Sequence, residues 1–334
     1  MNSKERCLAT IKGEKTDRVP VFPLLMFFSQ RRLGVTYREF ATDGHITAEA
    51  QLKIRDNFPI DAITACTDAF RVSADLGGEM EYPEDKPPHL AKPIVTSEAD
   101  LKKLGKPDPT KKGSRMADRA IAVSDMAKAF GADCLVLGWV DMPFAEACSL
   151  CGISEFMVML YDNPSLAHKV LEFETGIVVD FALSQLKAGA HMIGAGDAAT
   201  SLISDELYRE FALPYEKRVN DAIHNAGGLS KLHVCGNTSH LIKDMVKSGA
   251  DLFNVDHLVD LEDAKKVYSG AKLCFKGNLD PVSNLLQSSP EQCLRKCKEC
   301  LELTKGSQYM LSAGCEIPAD TKDEVFEAFC ESVN

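Results

Sequence analysis

The stretch LSKLHVCGNTSHLIKDMVKSGADLFNVD (229–256) decides the fold. It opens on one apolar run, LSKLHVC (229–235), and closes on another, DLFNVD (251–256). Between them, SHLIKDMVKSG (239–249) puts Leu241, Ile242, Met245 and Val246 on one face of a predicted helix. A strand, an amphipathic helix and a second strand in so short a span make a parallel βαβ unit, because parallel neighbours need a crossover of this length.

Working outward, the same alternation recurs along the chain. Further apolar runs are VPVFPLL (19–25), DAITAC (61–66), CLVLGWV (134–140), HMIGAG (191–196), KLCFKG (272–277) and QYMLSAG (308–314). Near-continuous hydrophobic runs are the mark of strands buried on both faces. Amphipathic stretches separate them, as in SPEQCLRKCKECLELTK (289–305). Eight such runs alternating with helices predict a (β/α)8 barrel, the TIM-barrel architecture, and not an open sheet. The Gly-x-Gly-x-x-Gly fingerprint of a dinucleotide-binding sheet is absent. PEDKPPHLAKP (83–93) and GKPDPTKKGS (105–114) read as loops within an insertion near 70–115, after the second strand. The expectation is one barrel domain over 1–334.

Composition narrows the partners. Charged residues make up 26% of the chain and the net charge is −11, which argues against nucleic acid as the main ligand. The first residues, MNSKERCLATIKGEKTDRVP, lack the apolar segment of a signal peptide, and no run of about 18 apolar residues is present. A cytoplasmic location without membrane contact is therefore expected. Twelve cysteines in a chain of 334 residues are read as reduced thiols, since disulfide frameworks belong to small secreted proteins. A chain this long builds its core without a metal staple, so a metal site here points to chemistry.

In a barrel the reactive groups collect where strands end, on the C-terminal face. Strand four ends in Gly196-Asp197, strand five in His233-Val234-Cys235, strand six in Asp256-His257 and strand eight in Gly314-Cys315. Residues i and i+2 of a strand share a face, so His233 and Cys235 can reach one ion. Taken alone, a His-x-Cys pair fits a buried hydrogen-bonded contact more readily than a chelate. Cys315, at another strand end, offers a third soft ligand. One imidazole and two thiolates suit Zn²⁺, and three protein ligands leave a position open, the catalytic pattern. Asp256 and Asp197 are candidate catalytic groups, and Asp256 or His257 a candidate fourth ligand or a partner orienting His233. Either aspartate could equally cap the next helix. Asn237 and Asn278 are expected to hold loop backbone. Cys293, Cys297 and Cys300 on one helix face, and the Cys148/Cys151 pair, lack a companion pair at zinc-ribbon spacing and are expected to pack. The same holds for Cys7, Cys66, Cys134, Cys274 and Cys330.

Several blocks then carry a resemblance: DRVPV (17–21), MPFAEACSLCGISEFMVMLYDNPSLAHKVLE (142–172), LISDELYREFALPYEKRV (202–219), GADLFNVD (249–256), KGNLDP (276–281) and LSAGCEIPADT (311–321). Together, in this order, they resemble the uroporphyrinogen decarboxylase superfamily over essentially the whole chain. The details resemble its methylcobamide:thiol methyltransferase branch. That resemblance implies zinc held by His233, Cys235 and Cys315, and a methyl-corrinoid (cobalamin) delivered by a separate corrinoid protein. It implies methyl transfer to or from a small molecule, such as attack of a zinc-activated thiolate on Co–CH3. The decarboxylases differ. They carry an Arg-Gln-Ala-Gly-Arg motif where this chain has MFFSQRRLGV (26–35), and a His in place of Cys315. They also use a Tyr in the region of MPFAEACSL. Their acidic residue after strand two has a counterpart in Asp68. Two alternatives stay open: a uroporphyrinogen decarboxylase, and a non-catalytic subunit that binds a corrinoid protein.

Overall fold

The computed structural model describes residues 1–83 and 86–334; residues 84 and 85, inside the expected loop 83–93, lie outside the described residues. Seven parallel strands form one curved sheet in chain order. They are β1 (Ala62–Thr64), β2 (Leu135–Asp141), β3 (Met192–Gly196), β4 (Leu229–His233), β5 (Leu252–Val255), β6 (Cys274–Leu279) and β7 (Tyr309–Ala313). Every position of β2, β3 and β7 is buried, as expected of strands covered by the barrel interior on one side and helices on the other.

The eighth position is filled by the segment 20–24. Val21 bridges Leu311 of β7 in parallel, and Phe22 N donates to Leu311 O at 2.9 Å. On its other side Asp61 N donates to Val21 O at 2.8 Å. The sequence predicts a full strand at 19–25, but the structure forms only bridges. Pro20 and Pro23 remove two ladder donors, so a continuous ladder cannot form. A side-chain anchor compensates. The fully buried Asp61 accepts from Val21 N (2.7 Å), Arg6 Nη1 (2.6 Å) and Arg18 Nη1 (2.8 Å), tying the N-terminal segment to the edge of β1. The (β/α)8 barrel closes through this contact.

The crossover between β4 and β5 is shorter than its periodicity implies. Only Ile242–Met245 is α-helical, followed by a 3₁₀ turn at Val246–Ser248. The preceding residues are taken up by turns: Thr238 O accepts from Leu241 N and Ile242 N, and Asn237 Oδ1 from Ser239 N. The apolar face survives, with Leu241, Ile242 and Met245 buried. The predicted helix at 289–305 forms as Pro290–Leu303, started by a Ser289/Gln292 capping box, with Cys293 and Cys297 buried. Between β1 and β2, the expected insertion region holds the short helices Arg71–Asp75 and Glu98–Leu101 and a two-stranded ladder, Met80–Glu81 with His89–Leu90. Among the described residues no single helix is long and apolar enough to cross a membrane.

Candidate metal centre on the C-terminal rim

β4 delivers His233 as its last residue, pointing into the barrel mouth, and the chain leaves the strand through Cys235. His233 Nε2 lies 2.8 Å from Cys235 Sγ. Cys315 Sγ, just beyond the end of β7, lies 3.4 Å from Cys235 Sγ and 3.7 Å from His233 Nε2. Among the described residues this is the group of histidine, cysteine and acidic side chains whose ligand atoms all fall within 4.8 Å of one another.

Close backbone packing brings the strand ends together. A Cβ on Gly314 would sit 2.4 Å from His257 N, so only glycine lets the end of β7 press against the end of β5. Asn254 Nδ2 donates to Gly314 O at 2.9 Å and locks that approach. On the other flank, Gly194 of β3 makes room for Trp139, whose ring a Cβ there would meet at 2.6 Å. Trp139 then packs edge-on against His233, with ring centroids 6.3 Å apart.

The electrostatics favour a soft cation. Burial holds the His233 imidazole below its ordinary value, so it is neutral and able to coordinate. The hydrogen bond between the two thiols holds Cys315 well below the ordinary thiol range and pushes Cys235 up, so that the pair shares one proton. One nitrogen and two sulfurs are a zinc donor set. The two distances from Cys315 approach the roughly 3.5–3.8 Å separating N and S ligands on one tetrahedral zinc ion; the His233–Cys235 contact is a hydrogen-bond length and would open by about 0.8 Å. The donor set therefore fits the ion.

The other candidates are placed as follows. Asp256 accepts from Gly236 N (3.0 Å) and Leu258 N (2.9 Å), and His257 Nδ1 lies 3.1 Å from its Oδ1. It thus grips the backbone next to Cys235. His233 Nδ1 is buried without a hydrogen-bond partner among the described residues, so neither Asp256 nor His257 orients it here. Asp197 is fully buried. Its Oδ1 accepts from Ala145 N at 2.9 Å, and burial, followed by the charge of Glu216, holds its carboxyl well above the ordinary range. It caps the helix Pro143–Cys151 and is not among the three converging donors. Asp68 is paired with Arg115 at 2.6 Å and accepts from Phe70 N, a strand-end structural role. Asn278 Nδ2 donates to Val259 O, and Asn237 Oδ1 accepts from Ser239 N within its own loop turn, as expected of loop-holding residues. The remaining ten thiols are free; all are buried except the partly exposed Cys300.

Two residues near the centre escaped sequence reasoning. Lys231 is buried in the barrel, its Nζ 4.6 Å from the Trp139 ring, and burial pushes it down to about 8. Lys276 is buried beside it, donating to Phe22 O and Ser312 Oγ. The signal was parity: Lys231, His233 and Cys235 alternate onto one face of the same strand run.

The comparisons with known proteins agree with this architecture. A uroporphyrinogen decarboxylase of Hydrogenovibrio crunogenus is 24% identical, over 98% of this chain and 96% of its own. A methylcobamide:CoM methyltransferase of Methanosarcina acetivorans is 26% identical, over 95% of this chain and 93% of its own. Among solved structures, a methyltransferase from Methanosarcina mazei superposes with a TM-score of 0.90 at 22% identity, covering 99% of this chain and 98% of that one. The model of the uroporphyrinogen decarboxylase (URO-D) family matches residues 2–334, and the chain belongs to that family.

Proposed function

We propose that this protein is a zinc-dependent corrinoid methyltransferase that moves a methyl group between a methyl-corrinoid protein and a small acceptor or donor. The observation that carries the reading is the convergence of His233, Cys235 and Cys315 within 4.8 Å at the barrel mouth. It is supported by the similarity to a methylcobamide:CoM methyltransferase. Zinc bound there would supply a Lewis acid able to hold a small thiol as its thiolate at neutral pH.

The chain's own residues prepare that centre. His233 offers a neutral imidazole because burial disfavours its charged form. Cys235 and Cys315 supply two negative charges once their shared proton leaves, which balances a divalent cation and keeps a third sulfur nucleophilic. Asp256 fixes the loop that carries Cys235 by holding Gly236 N. Trp139 covers one side of the imidazole and limits water there. In the thiol direction, His233, Cys235 and Cys315 would hold the zinc that presents the acceptor sulfur, and a methyl-corrinoid co-substrate would supply the methyl group. The corrinoid is too large for a closed pocket and would arrive on a partner protein at the C-terminal rim.

The test is metal analysis paired with turnover. The purified protein is expected to hold close to one zinc per chain and to demethylate methylcobalamin with a thiol. Absence of zinc together with decarboxylation of a porphyrinogen would replace this reading with the decarboxylase activity that most of the similar curated proteins carry.

A further inference from the structure

One buried side chain beside the centre uses only half of its hydrogen-bonding capacity. Asn254, 2% exposed, stands on β5 in parallel register with His233 on β4, so the two side chains leave the sheet on the same face. Its Nδ2 donates to Gly314 O at 2.9 Å. That bond fixes the orientation of the amide, since the reverse would set two carbonyl oxygens against each other. Oδ1 is then a buried acceptor without a hydrogen-bond partner among the described residues. Such an acceptor is costly unless a donor meets it.

On the adjoining strand, His233 Nδ1 is buried and unpartnered in the same way. Nε2 of that ring faces Cys235 and Cys315, so when the imidazole ligates a metal its proton sits on Nδ1, which becomes a donor. The other donors on this face turn elsewhere. Lys276, in register with Asn254 on β6, directs Nζ to Phe22 O and Ser312 Oγ. Lys231 lays Nζ over the Trp139 ring, 4.6 Å from its centroid. The nearby carboxylates are engaged as well: Asp256 with Gly236 N and Leu258 N, and Asp141 with Arg71. The unpaired acceptor and the unpaired donor are therefore left to each other.

We infer that Asn254 is a positioning residue of the metal centre: its Oδ1 takes the His233 Nδ1–H, through a hydrogen bond or one bridging water, while its Nδ2 holds the backbone that precedes Cys315. The inference rests on the zinc reading of the same centre and is independent of the direction of methyl transfer. One amide thereby ties together two ligands that lie 82 residues apart in the chain. Metal-ligating histidines are oriented by the acceptor of their second ring N–H. A neutral amide does this without adding charge to a centre that already carries two thiolates.

Chelator competition for zinc, joined to NMR of the cobalt(II)-loaded protein, tests this. The loaded parent is expected to show one exchangeable imidazole N–H signal that exchanges slowly with solvent. Asn254→Leu keeps the side chain's size and removes both ends of the amide. Zinc affinity is expected to fall about 10–100-fold, and the N–H to exchange about tenfold faster. Asn254→Asp keeps an acceptor toward His233 and loses the donor to Gly314 O. It is expected to recover most of the affinity and the slow N–H signal, with circular dichroism reporting the fold of both variants. An Asp variant as weak as the Leu variant overturns the inference, because Asn254 then acts only by holding Gly314. Full affinity in the Leu variant overturns it too. A rapidly exchanging N–H in the loaded parent does so whether or not the variants fold. These three outcomes leave the zinc reading in place. A parent that binds neither metal overturns both.

Discussion

At the scale of single residues, the site divides into donors and the groups that hold them. Cys315 is a donor. Cys315→Ala removes one of three ligands, and a two-ligand pair is a poor cage for zinc. The variant is expected to lose most of its metal and its methylcobalamin turnover. Its melting temperature should stay within about 3 °C of the parent, because Cys315 sits on the rim and not in the core. Retention of full zinc would make Cys315 a packing residue. Asp256 is a holder. Asp256→Ala frees Gly236 N and Leu258 N, two backbone donors now satisfied by one carboxylate. Outer groups of this kind change metal affinity about 10–100-fold, so zinc affinity measured by chelator competition should fall by that order. An unchanged affinity would reduce Asp256 to a residue that only holds the two loops together.

At the scale of elements, the helices outside the barrel carry an unusual load. On the helix Pro164–Lys187, Glu174 is fully buried among Val170, Leu171, Ile177 and Val178, and neither of its carboxyl oxygens has a hydrogen-bond partner among the described residues. Glu146, on the helix Pro143–Cys151, is buried and unpartnered in the same way. Burial pushes Glu174 from 4.5 up to about 8. In the fold it keeps its proton across a range where the unfolded chain has lost it. Its contribution to stability is therefore whole below about pH 4.5 and is lost progressively as pH rises toward 8. Glu174→Gln removes that dependence with little change of shape. The variant should gain about 4 kcal/mol relative to the parent between pH 5 and pH 8.5, read from urea midpoints at both values. A constant difference across this range would show that Glu174 is ionised in the fold.

At the scale of the molecule, barrel closure depends on a side chain as much as on the ladder. The segment 20–24 is short of backbone donors, and Asp61 joins it to β1, to Arg6 and to Arg18. Asp61→Ala leaves Arg6, 8% exposed, without one of its two carboxylate partners, deep in the N-terminal end of the barrel. Breaking a buried pair in this way costs about 3–5 kcal/mol. The expected result is a markedly lower denaturant midpoint with zinc affinity unchanged, since Asp61 lies at the opposite end of the barrel from His233. A midpoint within 1 kcal/mol (about the value of an exposed pair) would mean that the bridges to Leu311 close the barrel unaided.

The sequence by itself determined which segments are strands, their parallel order, and the shared face of His233 and Cys235. These follow from local periodicity, because the alternation of side chains along a strand is a property of neighbouring residues. Local pattern also predicted a strand at 19–25 and a longer helix at 239–249, and there turn hydrogen bonds and proline geometry outweighed it. Only the tertiary structure decided that Cys315 Sγ comes within 3.4 Å of a thiol 80 residues earlier in the chain, or that Asp197 turns toward Ala145 and Glu216. It also decided that Lys231 is buried beneath the site. The reason is that distance between segments depends on how closely whole strands pack, here on Gly314 against the Asp256–His257 backbone. That packing is set jointly by residues from every part of the barrel, and no window of sequence contains it.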